Sequence, residues 1–305
     1  MNPPKTSLIL KLLLCCLGCL LLLLTLITFS ESKYIPDWDD IGNALFSKEK
    51  AVTDEDAVRF IDVGQGDSIL ITSNGYNALI DFGDRNDHGS ELLDALRKYG
   101  VDRLDCVIAS HYDLDHIGGA PKILKAIDVK YALLPELSDS EENEFDDFQY
   151  ALENSGAEVS VARVGTVVNI GDFDITVIGY YSDEENSNDS SIILMARCDG
   201  KKFLLTGDAG EKIENRLMEE GLDLDCDVFK AAHHGSRNSN SLDFIKAASP
   251  EYGVISCSSS NQYGHPHTEV ITNLEAVGAE IYRTDRSGDI TFKIENGEIN
   301  PSTEY

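Results

Sequence analysis

The chain has 305 residues, with 54 aspartates and glutamates against 25 lysines and arginines, and its formal net charge is -29 at pH 7. Non-specific affinity for nucleic acid comes from cationic contacts, so this charge argues against a simple nucleic-acid-binding protein. An enzyme that acts on nucleic acid would need a local basic groove.

The first predicted element is an apolar segment near the amino terminus. Lys5 and Lys11 precede it, and residues 12–29 carry no charge. About 17 to 25 apolar residues cross a bilayer, whereas the apolar centre of a cleaved signal peptide has about 7 to 15. We therefore expect one N-terminal transmembrane helix that acts as a retained signal anchor, with cleavage near residues 28–32 or lipidation of Cys19 as the alternatives.

The positive-inside rule gives this segment a direction. Lysines precede it and the acidic part of the chain follows it, so we expect the amino terminus in the cytoplasm and the globular part outside. We assign residues 1–32 to a cytoplasmic stub and the anchor, residues 33–56 to a linker and residues 57–305 to one globular domain. About 270 residues follow the anchor, a length that suits a single large α/β domain. If the anchor is cleaved, the domain is secreted.

Strand and helix patterns alternate through the domain. The predicted strands cover residues 58–63, 68–72, 78–81, 192–196, 202–206, 253–256 and 280–283. Asn74-Gly75 is a strong hairpin signal between the second and third of these strands. Ser90 is predicted to cap a helix that runs to Tyr99, and the acidic segments 136–147 and 183–189 are predicted to be solvated loops or helix faces. Four cysteines at strand-like positions are predicted to be buried thiols: Cys106, Cys198, Cys226 and Cys257.

The most informative stretch directly follows the apolar run from Cys106 to Ala109. Two imidazoles and two carboxylates occupy six positions there, at His111, Asp113, Asp115 and His116. Zinc, manganese and iron bind neutral imidazole nitrogen and carboxylate oxygen at about 2.0 to 2.2 Å, and a loop that leaves a strand can turn several such groups toward one point. The pattern therefore predicts a metal site. The alternative is a helix-capping aspartate beside solvated histidines.

The pattern His111-x-Asp113-x-Asp115-His116, followed by Gly118-Gly119, resembles the metal-binding signature of the metallo-β-lactamase superfamily. The variant is that of the ComEC-like branch, the hydrolase domain of competence proteins. Other segments agree in order and spacing: Asp62-Val63-Gly64-Gln65-Gly66-Asp67-Ser68, Asp81-Phe82-Gly83, Thr206-Gly207-Asp208, His233-His234-Gly235-Ser236 and Gly264-His265-Pro266-His267. The resemblance implies an αββα four-layer sandwich whose ligand loops meet at one edge of the two packed sheets.

The same resemblance implies a binuclear metal-dependent hydrolase with two divalent ions, zinc or manganese. The first metal position would hold His111, Asp113 and Asp208. The second would hold Asp115, His116, the shared Asp208 and one of the adjacent residues His233 and His234, with His234 favoured. A water that bridges the two ions would become hydroxide near neutral pH.

One departure from the common superfamily signature affects the first metal position. The common form has histidine where Asp113 stands, and it has another histidine between the first cluster and the bridging aspartate. This chain has no histidine between His116 and His233. An oxygen from residues 188–191 would take the missing histidine's place, and an oxygen-rich site favours harder ions such as manganese.

The resemblance also assigns roles around the metals. Asp81 and Asp67 would support the ligands from behind, with Asp81 fixing the tautomer of a liganding imidazole. Asp115, Asp208 and His265 would act directly in catalysis. The residues expected to hold substrate are Ser236, Arg237, Lys230, His265 and His267. Their alternatives are ordinary surface cations and a helix that begins at Pro266, and Asp208 could instead cap a helix near Gly210.

The implied reaction is metal-assisted hydrolysis, and the ComEC-like form favours phosphodiesters. The leading hypothesis is a membrane-anchored extracytoplasmic phosphodiesterase or DNA nuclease, with Lys230, Arg237, Arg283 and Arg286 forming a basic groove if the fold gathers them. The alternatives are an envelope phosphodiesterase for choline phosphate or teichoic acid, a lactone or ester hydrolase, and a non-catalytic metal-binding module. No protein partner is indicated.

Overall fold

The computed structural model describes residues 55–85, 89–136, 144–182 and 186–305. The predicted N-terminal anchor lies outside these residues, as does nearly all of the predicted linker. Within the described part of the chain, no helix is both long enough and apolar enough to cross a membrane. The described residues belong to one unit that spans residues 51–305.

Two β-sheets form the centre of this unit. The strands are β1 (Asp56–Phe60), β2 (Ile69–Ser73), β3 (Tyr76–Ile80), β4 (Arg103–Leu104), β5 (Cys106–Ile108), β6 (Asp128–Val129), β7 (Tyr131–Leu134), β8 (Glu158–Val161), β9 (Val167–Ile170), β10 (Phe173–Gly179), β11 (Ile193–Cys198), β12 (Lys201–Leu205), β13 (Val228–Lys230), β14 (Tyr252–Ile255), β15 (Glu280–Arg283), β16 (Ile290–Glu295) and β17 (Glu298–Thr303). One sheet has the order β17-β16-β1-β2-β3-β5-β7-β8 and the other the order β15-β14-β13-β12-β11-β10-β9, while β4 and β6 pair separately.

Helices cover the outer faces of both sheets. They are α1 (Ser90–Lys98), α2 (Leu114–Ile117), α3 (Ala120–Ala126), α4 (Glu144–Ser155), α5 (Glu211–Glu219), α6 (Leu242–Ala248), α7 (Thr268–Val277) and α8 (Thr284–Ser287), with 3-10 turns at Asn188–Ser190 and Ala232–Gly235. The apolar residues of α1 recur at helical spacing, so Leu92, Leu93 and Leu96 are buried on one face, as predicted.

Strand periodicity explains why the molecule has four layers. Successive side chains of a strand point to opposite faces. In β2, Ile69 and Ile71 therefore pack between the two sheets, while Leu70 packs on the outer side against α1 and α3. In the second sheet, Phe203 points inward and Leu204 points outward, toward α5 and α6. The α/β sandwich predicted from the sequence is confirmed.

Several element ends differ from the sequence-based expectation. The first strand ends at Phe60 and not at residue 63, because the chain turns away toward a hydrogen bond from Asp62 N–H to Asp289. Gly89, with φ 74°, occupies the N-cap position of α1, so Ser90 is the first helical residue and not the cap. Part of the acidic segment 136–147 belongs to α4. The four predicted thiols are free and buried, as expected.

Candidate metal centre

The candidate ligands lie on loops that leave parallel strands. In the first sheet β3, β5 and β7 run parallel, and in the second sheet β12, β13 and β14 do. Carboxyl ends of parallel strands meet at one edge of a sheet, where open α/β sheets bind ligands. Asp81 follows β3, the loop of His111 to His116 follows β5, Asp208 follows β12, and His233 and His234 follow β13.

Asp81 orients two histidines. Its buried carboxylate accepts hydrogen bonds from the backbone N–H and from Oγ of Ser110, both at 2.7 Å, and from Nδ1 of His116 at 2.8 Å. Oγ of Ser110 accepts in turn from Nδ1 of His111 at 3.0 Å. Because Nδ1 of each ring is engaged by this network, each imidazole has Nε2 left for a ligand.

Asp208 is buried between the histidine loops. Its backbone N–H donates to Oγ of Ser191 at 3.1 Å, and Oδ1 lies 3.3 Å from Nε2 of His116. Gly207 before it has φ 52°, and a Cβ there would lie 2.9 Å from the Ser191 side chain, so the turn needs glycine. Burial disfavours the charged forms, but the attraction between this carboxylate and nearby imidazoles outweighs it. The pKa of Asp208 is well below its usual value, and the pKa of His116 is well above its own. The pair therefore favours a cation between them.

The turn that carries the adjacent histidines has an uncommon backbone. His233 and His234 have φ values of 50° and 53°, in the left-handed region that costs non-glycine residues free energy. The buried side chain of Asn240 holds this turn. It accepts from the backbone N–H of Ala232 at 2.8 Å and donates to the carbonyls of Ala232 and Ser236 at 2.9 and 3.2 Å.

His234 presents Nε2 to the carboxylates. Its ring is buried, and Nδ1 donates to the carbonyl oxygen of Ser256 at 3.1 Å. Nε2 lies 3.1 Å from Oδ2 of Asp115 and 3.5 Å from Oδ2 of Asp208. These three residues thus meet around one point, in the manner of ligands to one ion.

His233 has a different arrangement. Its Nδ1 lies 3.5 Å from Nδ2 of Asn188, and its Nε2 lies 3.8 Å from Oδ2 of Asp208. Burial, together with the positive charge of His234, lowers the pKa of His233 despite the attraction of Asp208. The His233 ring is 28% exposed, whereas the His234 ring is buried with Nδ1 held by a backbone carbonyl, so His234 is the better placed of the two to bind a metal.

The loop of residues 64–67 packs directly on Asp115. The backbone N–H of Asp67 donates to the carbonyl of Asp115 at 3.2 Å, and a Cβ on Gly66 would lie 2.2 Å from that same oxygen. Burial opposes ionisation of Asp115, but the hydrogen bond from His234 and the charge of His116 prevail and lower its pKa. The glycine is therefore needed for Asp115 to hold its position.

Lys230 lies behind the candidate ligands. It is 1% exposed and forms an ion pair with Asp67, which is buried to the same extent, and its Nζ lies 4.0 Å from Oδ1 of Asp208. Burial acts to lower the pKa of Lys230, but the two carboxylates outweigh it and raise that pKa. Lys230 was predicted to hold substrate. The structure places it where it can support the carboxylates from the protein interior.

Asp113 and the segment of residues 188–191 lie on the other side of the centre. The half-exposed side chain of Asp113 has Oδ2 3.8 Å from Nε2 of His111. Burial disfavours the ionised form, but electrostatic attraction to His111 outweighs it and lowers the pKa of Asp113. Oδ1 of Asn188 is buried without a hydrogen-bond partner. In the segment predicted to supply an oxygen, Nδ2 of Asn188 lies 3.5 Å from Nδ1 of His233.

The donor set fits divalent metal ions. Among the described residues, four groups of three ligand atoms lie within 4.8 Å of one another, and two of them consist of predicted ligands: His111 with His116 and Asp208, and Asp115 with His116 and His234. The other two combine Asp67 with Asp208 and His234, and with Asp81 and His116. Nε2 of His111, Nε2 of His116 and Oδ1 of Asp208 are buried and have no hydrogen-bond partner. Buried polar atoms normally have partners, so these converging atoms are suited to bind a cation. His233 belongs to none of these four groups.

The remaining predicted substrate-binding residues lie around the histidine turn. His267 accepts at Nδ1 from the backbone N–H of Arg237 at 3.2 Å, and the Arg237 side chain pairs with Glu269 at 3.4 Å. The ring of His265 lies 5.6 Å from that of His233, and burial together with the neighbouring histidines lowers the pKa of His265 to about 4. Ser236 is buried, and its Oγ accepts from the backbone N–H of Asn238.

The alternative prediction for this segment was a helix that begins at Pro266. In the structure, α7 begins two residues later, at Thr268. Arg283, a member of the expected basic groove, pairs with Asp285 at 2.7 Å. Lys230 and Arg237 are also held in ion pairs with carboxylates.

Sequence reasoning did not single out several supporting residues. Ser110 stands directly before His111, so its position in the motif could have indicated its role. Ser191 falls inside a segment that was considered only for metal binding. Ser256 and Asn240 act through a backbone carbonyl and a side-chain amide from other loops, and no local pattern marks them.

An α/β sandwich with histidines and aspartates converging at the carboxyl edge of its strands defines a metallohydrolase. The family model described as the metallo-beta-lactamase superfamily matches residues 61–259, and the chain belongs to that superfamily. It is thus a metal-dependent hydrolase, as predicted.

Two relatives resemble the chain in sequence. It is 31% identical over 263 residues to ComE operon protein 3 of Bacillus subtilis (strain 168), covering 80% of this chain and 34% of that protein. It is also 31% identical over 264 residues to competence protein ComA of Neisseria gonorrhoeae, covering 85% and 35%. The chain thus spans about a third of the length of these relatives. The ComEC-like resemblance predicted from the motifs is confirmed.

The fold is also similar to that of a solved structure, the metallo-beta-lactamase fold protein YhfI from Bacillus subtilis. The TM-score is 0.52 at 13% identity, covering 81% of this chain and 100% of that one. At this identity the likeness concerns the fold alone.

Proposed function

We propose that this protein is a binuclear metal-dependent phosphodiesterase, with DNA among its substrates. The observation that carries the proposal is the convergence of Nε2 of His111, Nε2 of His116 and Oδ1 of Asp208, all buried and without hydrogen-bond partners. The similarity to competence proteins supports a phosphodiester as the bond that is hydrolysed.

Two metal positions would use different sides of this cluster. His111, Asp113 and Asp208 would hold one ion, with Asn188 adding an oxygen. Asp115, His116, His234 and the shared Asp208 would hold the other, and the burial of His234 together with the Ser256 carbonyl at its Nδ1 supports His234 as the ligand. Zinc and manganese both suit this donor set, and its many carboxylate oxygens favour manganese.

When bound, such ions lower the pKa of a coordinated water and offset the charge that grows on the phosphate oxygens. The chain's own residues do the rest. Asp81 keeps His116 and, through Ser110, His111 in one orientation. Lys230 and Asp67 hold the interior side of the carboxylate cluster. His265 and His267 lie beside the histidine turn, where they can contact the substrate.

The apolar segment of residues 12–29 supports a membrane location for this activity. We infer a single-pass anchor with the hydrolase domain outside the cytoplasm, or a secreted domain if the segment is cleaved. Labelling of an engineered cysteine in the domain by a membrane-impermeant reagent on intact cells tests this orientation. Labelling only after lysis would contradict it.

An envelope phosphodiesterase that acts on choline phosphate or teichoic acid is the second candidate. Asp84 and Glu91 lie in a pocket beside Asp115, and carboxylates there favour a cationic substituent over a second phosphate. Preference for a choline ester over a nucleoside ester would select this candidate.

The deciding experiment measures bound metal and turnover together. The purified protein would be loaded with manganese or zinc and assayed on bis-p-nitrophenyl phosphate, beside Asp208→Asn and the exposed control Asp243→Asn. We expect Asp208→Asn to lose both metal and turnover while Asp243→Asn keeps both. Bound metal without phosphodiester turnover in the unmutated protein would overturn the proposal in favour of a lactone or ester hydrolase or a non-catalytic metal-binding module.

A further inference from the structure

A pocket of about 670 Å³ opens beside the candidate metal centre. Asp115 forms part of its wall, and the segment of residues 258–263 that follows β14 forms another part. Pockets of about 300 to 1,000 Å³ commonly bind small molecules or parts of larger ones. Because Asp115 is both a candidate metal ligand and a wall of the pocket, a group bound here would lie next to the reacting phosphate.

Tyr263 is the aromatic residue of this pocket. Its side chain is 67% exposed, and its ring stacks on His265 with 5.5 Å between ring centroids and an angle of 24°. His265 lies in turn 5.6 Å from the ring of His233. One face of the tyrosine ring therefore packs on His265, beside the metal centre, while most of its surface is available for a flat ligand.

The charges of the pocket exclude phosphate from it. Among the lining residues that the structure describes there is no lysine or arginine, whereas Asp84, Glu91 and Asp115 are carboxylates. A phosphate group would be repelled, but an uncharged planar group would not. The pocket therefore suits an uncharged part of a substrate better than a second phosphate.

Gln65 also lines the pocket, and only one of its two side-chain polar atoms has a hydrogen-bond partner among the described residues. Its Oε1 accepts from the backbone N–H of Ser258 at 3.4 Å, while its buried Nε2 has no hydrogen-bond partner. Gln65 and Tyr263 line the same pocket, and a polar side chain together with an aromatic ring suits a nucleobase, which offers a π-face and polar ring edges.

We infer that Tyr263 is the stacking platform for the nucleobase of a nucleoside whose phosphate is hydrolysed at the metal centre. The inference rests on the proposed phosphodiesterase activity and names the group that such a substrate carries. A quaternary ammonium group suits the pocket less well, because such groups bind in cages of aromatic faces. Tyr263 is the single aromatic residue among the described lining residues.

Three phosphodiesters with the same leaving group test the inference. They are the p-nitrophenyl esters of thymidine monophosphate, of methyl phosphate and of phosphorylcholine, so the rate differences report on the second substituent alone. The metal-loaded full chain would be compared with Tyr263→Ala and Tyr263→Phe. Tyr150→Ala is the control, because Tyr150 lies on α4 and has the same 67% exposure.

We expect Tyr263→Ala to raise KM for the thymidine ester about tenfold or more, the size typical of base stacking. KM for the methyl ester should stay within about twofold, and Tyr263→Phe and Tyr150→Ala should resemble the unmutated protein on every substrate. An equal loss on the methyl ester would overturn the inference and leave only a structural role for Tyr263. A loss confined to the choline ester would overturn it in favour of a cation site.

A binding measurement separates this inference from the proposed activity. If no ester is hydrolysed, the proposed function fails, and calorimetric titration of thymidine monophosphate and of methyl phosphate into the metal-loaded protein still decides the inference. Weaker binding of thymidine monophosphate to Tyr263→Ala, with methyl phosphate unchanged, would support it. Equal affinity of Tyr263→Ala and the unmutated protein for thymidine monophosphate would overturn it.

Discussion

Oδ2 of Asp81 lies 2.8 Å from Nδ1 of His116, and both side chains are buried. The same carboxylate accepts two hydrogen bonds from Ser110, whose Oγ holds His111. Asp81 is not one of the predicted metal ligands, yet it sets the orientation of both His111 and His116. Asp81 is a positioning residue, as the sequence predicted for a carboxylate behind the ligands.

Asp81→Asn tests this positioning role. An amide keeps only one of the two acceptor oxygens, so either the backbone N–H of Ser110 loses its acceptor or Oγ of Ser110 and Nδ1 of His116 both lose theirs. Replacing such a supporting partner typically weakens metal affinity about 10- to 100-fold. Competition with a chromogenic chelator measures the affinity without depending on turnover. Unchanged affinity in a folded Asp81→Asn variant would show that the histidines are held in place by packing alone.

Gly66→Ala should displace Asp115. Gly66 has φ 123°, and its added Cβ would lie 2.2 Å from the carbonyl oxygen of Asp115. Gly64→Ala is the matched control, because Gly64 also has a positive φ of 75° but has nothing within 4 Å of its Cβ position. We expect the control to lose about 1 kcal/mol of stability from backbone strain and to bind metal normally. Gly66→Ala should lose more stability, and metal titration should show weakened binding. Equal metal affinity in the two variants would contradict this expectation.

Lys230→Met should destabilise the protein strongly. The substitution leaves Asp67 buried with its charge uncompensated, and the loss of one partner of a buried ion pair costs about 3 to 5 kcal/mol. The double variant Lys230→Met with Asp67→Asn should recover part of that loss, because it removes the buried charge as well. Urea denaturation measures both. A double variant no more stable than Lys230→Met alone would show that the ion pair is not the source of the loss.

The sequence was informative where local pattern determines structure. The sequence predicts a strand over residues 68–72, and the structure has β2 there, at Ile69–Ser73. The cluster from His111 to His116 predicted ligands on a loop after a strand, and that is where the structure has them. The ends of the strands could not be predicted as well. The first strand ends just before Asp62, whose backbone N–H donates to Asp289, a residue that is distant in sequence.

The supporting contacts could not be predicted in the same way. Lys230 was predicted to hold substrate, but it is buried and pairs with Asp67, which is distant in sequence. Likewise, the choice between His233 and His234 depends on the burial of each ring and on the group beside each Nδ1, and those groups come from Asn188 and Ser256. Such contacts join separate loops, and no periodicity or spacing encodes them.

Glu214 supports the candidate ligands indirectly, through Asn240. Its buried carboxylate on α5 accepts hydrogen bonds from the backbone N–H of Asn240 and, at 3.0 Å, from that of Ser241. Asn240 in turn holds the backbone on both sides of the histidine turn, at Ala232 and Ser236. Glu214 thus supports the left-handed conformation of His233 and His234 from the interior.

Glu214 should make stability depend on pH. Burial raises its pKa, and the two backbone hydrogen bonds offset this only in part. Between the pKa of the unfolded state, about 4.3, and the higher pKa of the folded state, the folded state holds a proton that the unfolded state has lost. The free energy of unfolding therefore falls as pH rises through this interval and is constant above it.

Glu214→Gln removes this titration. It should cost about 1 to 3 kcal/mol at low pH, because the amide nitrogen faces a backbone N–H. We expect the difference in unfolding free energy between the unmutated protein and Glu214→Gln to shrink as pH rises above about 4.3. Urea denaturation at several pH values measures it, with the exposed Glu219→Gln on the same helix as a control that should change stability by less than about 0.5 kcal/mol. A difference that widens as pH rises would show that Glu214 is stabilised in its ionised form and that the direction assigned to its pKa is wrong.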